Sequence, residues 1–112
     1  MRRRSKYGNV RTKVGEHVFA SKAEAARYRD LLIMEKAERI HNLMLQRPFP
    51  LTVNGLPVAT YIADFTYTEL PSGRYVVEDV KGVRTAVYRL KAKLMRACHA
   101  ITITEIGRKR AK

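Results

Sequence analysis

The sequence predicts a single α+β domain whose elements run helix, strand, strand, strand, helix, strand. Three observations point there. The chain has 112 residues, 46% of them apolar, which suits one small core. Two stretches, from Ser21 to about Glu38 and from about Thr85 to His99, carry apolar residues at helical spacing without Gly or Pro. Between and after them lie β-rich runs punctuated by Asn54-Gly55, Pro71-Ser72-Gly73 and Gly107. No repeat, linker or second domain is visible, so residues 16–107 read as the folded body, between a basic arm at 1–15 and a basic tail at 108–112.

Ser21-Lys22-Ala23-Glu24 opens the first helix with a capping-box pattern. Glu24 has two readings of equal weight: it folds back to the Ser21 amide, or it projects inward at the head of a stripe continued by Tyr28, Leu31, Leu32 and Glu35. Ile40 to Gln46 reads as a strand, and Pro48 and Pro50 demote its continuation to an edge or an extended exit. Gln46 either hydrogen-bonds near the acids described below or is an ordinary strand amide. Asn54-Gly55 turns the chain tightly into a strand over Val58 to Thr68. In the second helix, Val87, Leu90, Leu94, Ala97 and Cys98 form the expected buried stripe, with Tyr88 and Lys91 on its flank. Ile101 to Ile106 alternates as a last strand, which Gly107 ends.

The hairpin from Tyr61 to Gly82 carries the chemistry. Each of its apolar runs is interrupted by an acid, Asp64 in one and Asp79 in the other. With a four-residue loop from Leu70 to Gly73, Glu69 faces Arg74 and Asp64 falls directly opposite Asp79. A two-residue loop would set Asp64 opposite Lys81, and an odd loop would bring in Glu78 instead of Asp79. Like charges directly opposite destabilise a sheet, so the first arrangement calls for a positive partner, either Lys81 or a divalent metal. The plainer alternative is a solvated surface pair.

Lys and Arg outnumber Asp and Glu by 23 to 10, a formal net charge of +13. The expected partner is a polyanion, DNA first. A membrane is disfavoured because no long apolar or lipidation signal is present, and the polar residues after Met1-Arg2-Arg3-Arg4 do not make a secretory signal. Arg2, Arg3, Arg4 and Lys6 in the arm, and Arg108, Lys109 and Arg110 in the tail, are phosphate-contact candidates, with simple solvation as the alternative. Arg84, Tyr88 and Lys91 lie where the second helix begins near the acids and could line the same approach. Cys98 is the only cysteine and reads as a structural thiol; His17, His41 and His99 show no zinc spacing. No Gly-rich phosphate loop is present, so no small-molecule cofactor is expected.

The element order, with Asp64 on one strand and Asp79-Val80-Lys81 on the next, resembles the PD-(D/E)xK nuclease superfamily. A closer resemblance is to small phage and prophage proteins of that superfamily, through Ser5 to Asn9, Ser21 to Glu24, Val77 to Gly82 and Tyr88 to Leu94. Ala63 stands where the superfamily name places proline, a position that carries no ligand atom. The resemblance implies a restriction-endonuclease-like core, a mixed sheet of about four strands flanked by two helices, that hydrolyses DNA with Mg²⁺, or with Mn²⁺ as a substitute. It makes Asp64 and Asp79 metal ligands, Glu24 a third ligand or support, the Val80 carbonyl a further oxygen, and Lys81 the group that orients the attacking water. Gln46, Tyr88 and Lys91 fit the same pattern in order. The implied setting is DNA recombination, replication or packaging in a host cytoplasm, with recognition of a junction, flap or nick, and a homodimer as one way to act on two strands. Two rival readings stand beside it: a nucleic-acid-binding accessory that does not cut, and a basic assembly protein whose acids pair with arginines.

Overall fold

A computed structural model describes residues 10–81 and 83–107. The elements are β1 (Thr12–Val14), β2 (His17–Phe19), α1 (Lys22–Lys36), β3 (Ile40–Val53), β4 (Leu56–Glu69), β5 (Tyr75–Lys81), α2 (Ala86–His99) and β6 (Thr104–Gly107). From α1 onward this is the expected order. The main sheet is mixed, in the order β3-β4-β5-β6, with antiparallel pairing throughout except for the parallel β5–β6 pair that α2 connects.

The basic arm is shorter than expected, because β1 and β2 close a small hairpin in which Lys13 faces Val18 and Val14 faces His17. Gly15, at φ +62°, supplies the left-handed turn residue between them. Phe19 is buried and anchors this hairpin to the core. Arg2, Arg3, Arg4, Lys6, Arg108, Lys109 and Arg110 lie outside the described residues.

Ser21 caps α1 as expected, its hydroxyl accepting from the Glu24 N–H at 3.1 Å. The buried face is Glu24, Ala25, Tyr28 and Leu31; Leu32 and Glu35, expected on it, are exposed. The larger departure is in α2. Tyr88 and Met95 are its buried residues, while Val87 is 62% and Leu90 57% exposed. The stripe is rotated because Tyr88, expected on the flank, fills the space beside Tyr61 and Met95 occupies the centre. Cys98 is half-buried, and its thiol reaches the Thr52 carbonyl at 3.2 Å.

Pro48 and Pro50 end up inside β3, which continues to Val53. It can do so because β3 is an edge strand, where the missing N–H groups interrupt no central ladder. Asn54 (φ +52°) and Gly55 (φ +80°) form the expected two-residue turn between Val53 and Leu56, which pair.

The core has two parts. Phe19, Ala25, Tyr28, Leu31, Ile40, Phe65, Tyr67 and Val76 pack around α1. Phe49, Leu51, Tyr61, Ala63, Val77, Tyr88 and Met95 pack around α2. Residues 61, 63, 65 and 67 share one parity along β4, yet the first two pack with α2 and the last two with α1. The same exchange occurs along β3, between Leu45 and Phe49. It falls at Asp64 and at Gln46, whose φ of +54° breaks the extended run between the Leu45–Phe65 and Arg47–Ala63 pairs.

Thr66, fully buried, has a hydroxyl oxygen without a hydrogen-bond partner among the described residues. Replacing it with valine keeps the shape and removes an orphaned polar atom. Thr66→Val is expected to raise stability by about 1 kcal/mol, seen as a higher urea midpoint with an unchanged slope; an unchanged midpoint would show that the hydroxyl is satisfied.

Candidate functional site

The four-residue loop is the one adopted. The Glu69 N–H donates to the Arg74 carbonyl at 2.8 Å, and β4 pairs with β5 from Thr68–Tyr75 to Phe65–Glu78. One step further, Asp64 and Asp79 stand across from each other where the paired ladder has stopped. Asp64 leaves the ladder to accept from the Val80 N–H at 2.8 Å. Asp79, 4% exposed, accepts from the Tyr61 hydroxyl at 2.5 Å and pairs with Lys81 Nζ at 3.1 Å. The Lys81 ammonium also sits 4.2 Å from the centre of the Tyr88 ring.

Glu78 takes no part. Its side chain is fully buried on the α1 side, where Arg27 Nε and Nη2 donate to it at 3.0 and 2.6 Å and the Tyr67 hydroxyl adds a third bond.

Glu24 reaches the cluster from α1. Gln46 Nε2 donates to Glu24 Oε2 at 3.2 Å and to Asp64 Oδ1 at 3.5 Å, so one amide bridges the two carboxylates. Of the two readings of Glu24, the inward one describes its carboxylate, and Gln46 is the neighbour of the acids. These four side chains meet because the ribbon changes sides at Gln46 and Asp64; straight strands would leave Glu24 and Asp79 on opposite faces. A cleft of about 610 Å³ opens here, lined by Glu24, Gln46 and Asp64 together with His17, Val18 and Leu45.

Like charges gathered away from water shift the titration. Burial first, then the charges of Asp64 and Asp79, push Glu24 from its ordinary 4.5 up to about 7. Asp64 is also raised, by burial and by Asp79, against the opposing hydrogen bonds from Val80 and Gln46. Burial and the bond to Asp79 hold the Tyr61 phenol well above its usual range, so it remains a donor.

The sign for stability follows. Between about pH 4.5 and 7 folded Glu24 keeps a proton that the unfolded chain has lost, so stability is greatest at the acid end and falls as pH rises. Across this window a loss on the order of 2 kcal/mol is expected, allowing for solvent in the cleft. Urea midpoints at either end of the window measure it. Glu24→Gln should remove this component of the slope, and a slope identical in the variant would mean that Glu24 ionises normally.

Of the outer candidates, Arg84 is exposed and lies 3.5 Å from Glu105. Lys91 is half-buried on α2. Tyr88 is 6% exposed, its hydroxyl donates to Glu105 Oε2 at 2.8 Å, and its ring lies against Lys81, as the reading of a core-boundary residue would have it. Tyr61, Glu105 and His17 were missed by sequence reasoning. Tyr61 shares its strand with Asp64, but nothing local shows that its hydroxyl reaches Asp79 across the sheet, and Glu105 reads as one more residue of an alternating strand. The Val80 backbone belongs to the site through its N–H, and Val80 pairs with Ile106 of β6. Gly107 permits that close pairing, since a Cβ there would stand 3.2 Å from the Lys81 carbonyl oxygen.

Among the described residues, no three His, Cys, Asp or Glu side chains converge tightly enough to coordinate an ion as they stand. The fit to a metal is one of donor chemistry and charge. Glu24, Asp64 and Asp79 offer hard oxygens of the kind Mg²⁺ takes, and their mutual repulsion is what a cation would relieve.

Fold and site define a small basic α+β domain with three carboxylates and a lysine gathered where its sheet changes sides. The chain belongs to the family described as Protein of unknown function (DUF1064), whose profile matches residues 4–108. No curated protein and no solved structure matches it. No helix among the described residues is long and apolar enough to cross a membrane.

Proposed function

We propose that this protein is a Mg²⁺-dependent endonuclease acting on DNA, built on a restriction-endonuclease-like core, with Mn²⁺ as a working substitute. The observation that carries this reading is the gathering of Glu24, Asp64 and Asp79 beside Lys81 in a chain of net charge +13. Burying acids together is costly, and a divalent cation with a phosphate backbone would supply the missing counter-charge.

Glu24, Asp64 and Asp79 would hold the ion, which when bound polarises a phosphate and lowers the pKa of water. The chain's own residues supply the rest. Tyr61 fixes one oxygen of Asp79, and Lys81 lies at 3.1 Å from the other. From there the ammonium orients the attacking water and favours its deprotonated form. Gln46 sets the spacing of Glu24 and Asp64, and the Val80 N–H fixes the rotation of Asp64. Exposed basic side chains hold the strand, so binding should weaken steeply with salt.

The test is cleavage of labelled single strand, plain duplex, flap and four-way junction, with Mg²⁺, Mn²⁺ or EDTA, by the wild type and Lys81→Ala. Metal-dependent cutting that is lost in Lys81→Ala is expected. Binding without cutting under every condition would replace this reading with that of a DNA-binding accessory.

A further inference from the structure

The cleft beside the carboxylates contains a group that the proposed reaction does not use. His17 lines it, at the start of β2, and is exposed. Its ring is nonetheless braced: it meets Tyr28 edge-on at 5.4 Å between centroids and lies 6.2 Å from Phe19. Those two rings are themselves 5.0 Å apart, and both pack near Phe65 in the core. An exposed aromatic ring supported from behind by a rigid cluster makes a stacking platform.

The neighbouring surface suits one occupant. Val18, 53% exposed, also lines the cleft and gives it an apolar contact. Leu45 adds a second apolar contact. At about 610 Å³ the cleft is the size of a small-molecule pocket; it takes roughly a nucleotide or two, and a duplex is far too wide to enter it. Stacking of bases on an aromatic ring is how unpaired strands are bound without regard to sequence.

We infer that His17 is the base-stacking residue of a subsite for an unpaired nucleic-acid strand, which the β1–β2 hairpin presents to the carboxylates. The substrate of the site is then a single strand or the unpaired arm of a flap, and continuous duplex is excluded from it. For the chemistry that follows binding, this rests on the nuclease reading; the binding itself does not.

The experiment measures binding by the full chain in EDTA, where no cutting occurs, to short unpaired DNA, short unpaired RNA and a plain DNA duplex. His17→Ala should weaken binding to the unpaired strand roughly 5- to 100-fold, the range of one aromatic stack, and leave duplex binding unchanged. His17→Phe, which keeps a ring against Tyr28, should restore it, and the DNA and RNA arms identify the strand. Unaltered binding in His17→Ala, equal weakening toward duplex, or failure of His17→Phe to restore binding would each overturn the inference. Absence of cutting when Mg²⁺ is added would count against the nuclease reading alone, since the binding pattern stands apart from it.

Discussion

Asp79→Asn is expected to abolish the proposed metal-dependent cleavage, by at least about 100- to 1000-fold, and to leave the folded domain intact. The substitution is chosen for what it keeps. An amide oxygen still accepts from Tyr61, which burial holds in its protonated, donating form. What disappears is the negative charge, and with it the ligand oxygen proposed for the ion and the partner that holds Lys81 at 3.1 Å. Lys81 then keeps the face of Tyr88, 4.2 Å from the ring centre, and the more distant charge of Asp64, but loses the contact that fixes its direction. Because Asp79 helps to push Asp64 and Glu24 upward, neutralising it also relieves repulsion. The metal-free variant should therefore melt no lower than the wild type near neutral pH. Initial rates over a Mg²⁺ titration and a melting curve measure both effects. Wild-type cutting by Asp79→Asn would remove Asp79 from the chemistry, and a collapse in melting temperature would make its role structural.

Arg27→Ala is expected to destabilise the domain by about 3–5 kcal/mol. Glu78 is fully buried and receives two bonds from Arg27 and one from Tyr67. Without Arg27 its charge has one neutral donor and no cation among the described residues. The guanidinium is itself held further in its charged state, by the hydrogen bonds to Glu78 first, against the opposing cost of burial. The double variant Arg27→Met/Glu78→Gln removes both charges while the amide still accepts from Tyr67, and it should recover most of the loss. Urea unfolding of the two single variants and the double variant measures the coupling. Losses that simply add would mean that solvent reaches Glu78 and that the pair contributes little.

The two pairs on β5 show how far alternation could be read. That Glu78 and Asp79 point to opposite sides follows from the strand period alone, and the four-residue loop is enough to set Asp64 across from Asp79. The Ser21 cap and the Asn54-Gly55 turn were equally legible, because each is a local demand of the backbone met by residues next to it. The faces of the helices were less so. Leu32, Val87 and Leu90 have the spacing of a buried stripe and are exposed, since which apolar residues a helix buries depends on what the opposing sheet has room for. Tyr88 is buried because Tyr61 and Glu105 complete its surroundings, and those residues are 27 positions before it and 17 after it.

The sequence by itself determined the order of elements from α1 onward, the acids that interrupt the central hairpin and the basic charge of the whole, because these depend on neighbours a few residues apart or on composition; the structure chose the hairpin register among three that the sequence allowed. Only the tertiary structure decided that Glu24 and Gln46 join Asp64 and Asp79, that Glu78 belongs to Arg27, and that His17 borders the same cleft. Each of those depends on one event, the change of side at Gln46 and Asp64, or on packing across the sheet. A left-handed Gln within a strand carries no local signature, so its consequence becomes visible only when both helices are in place.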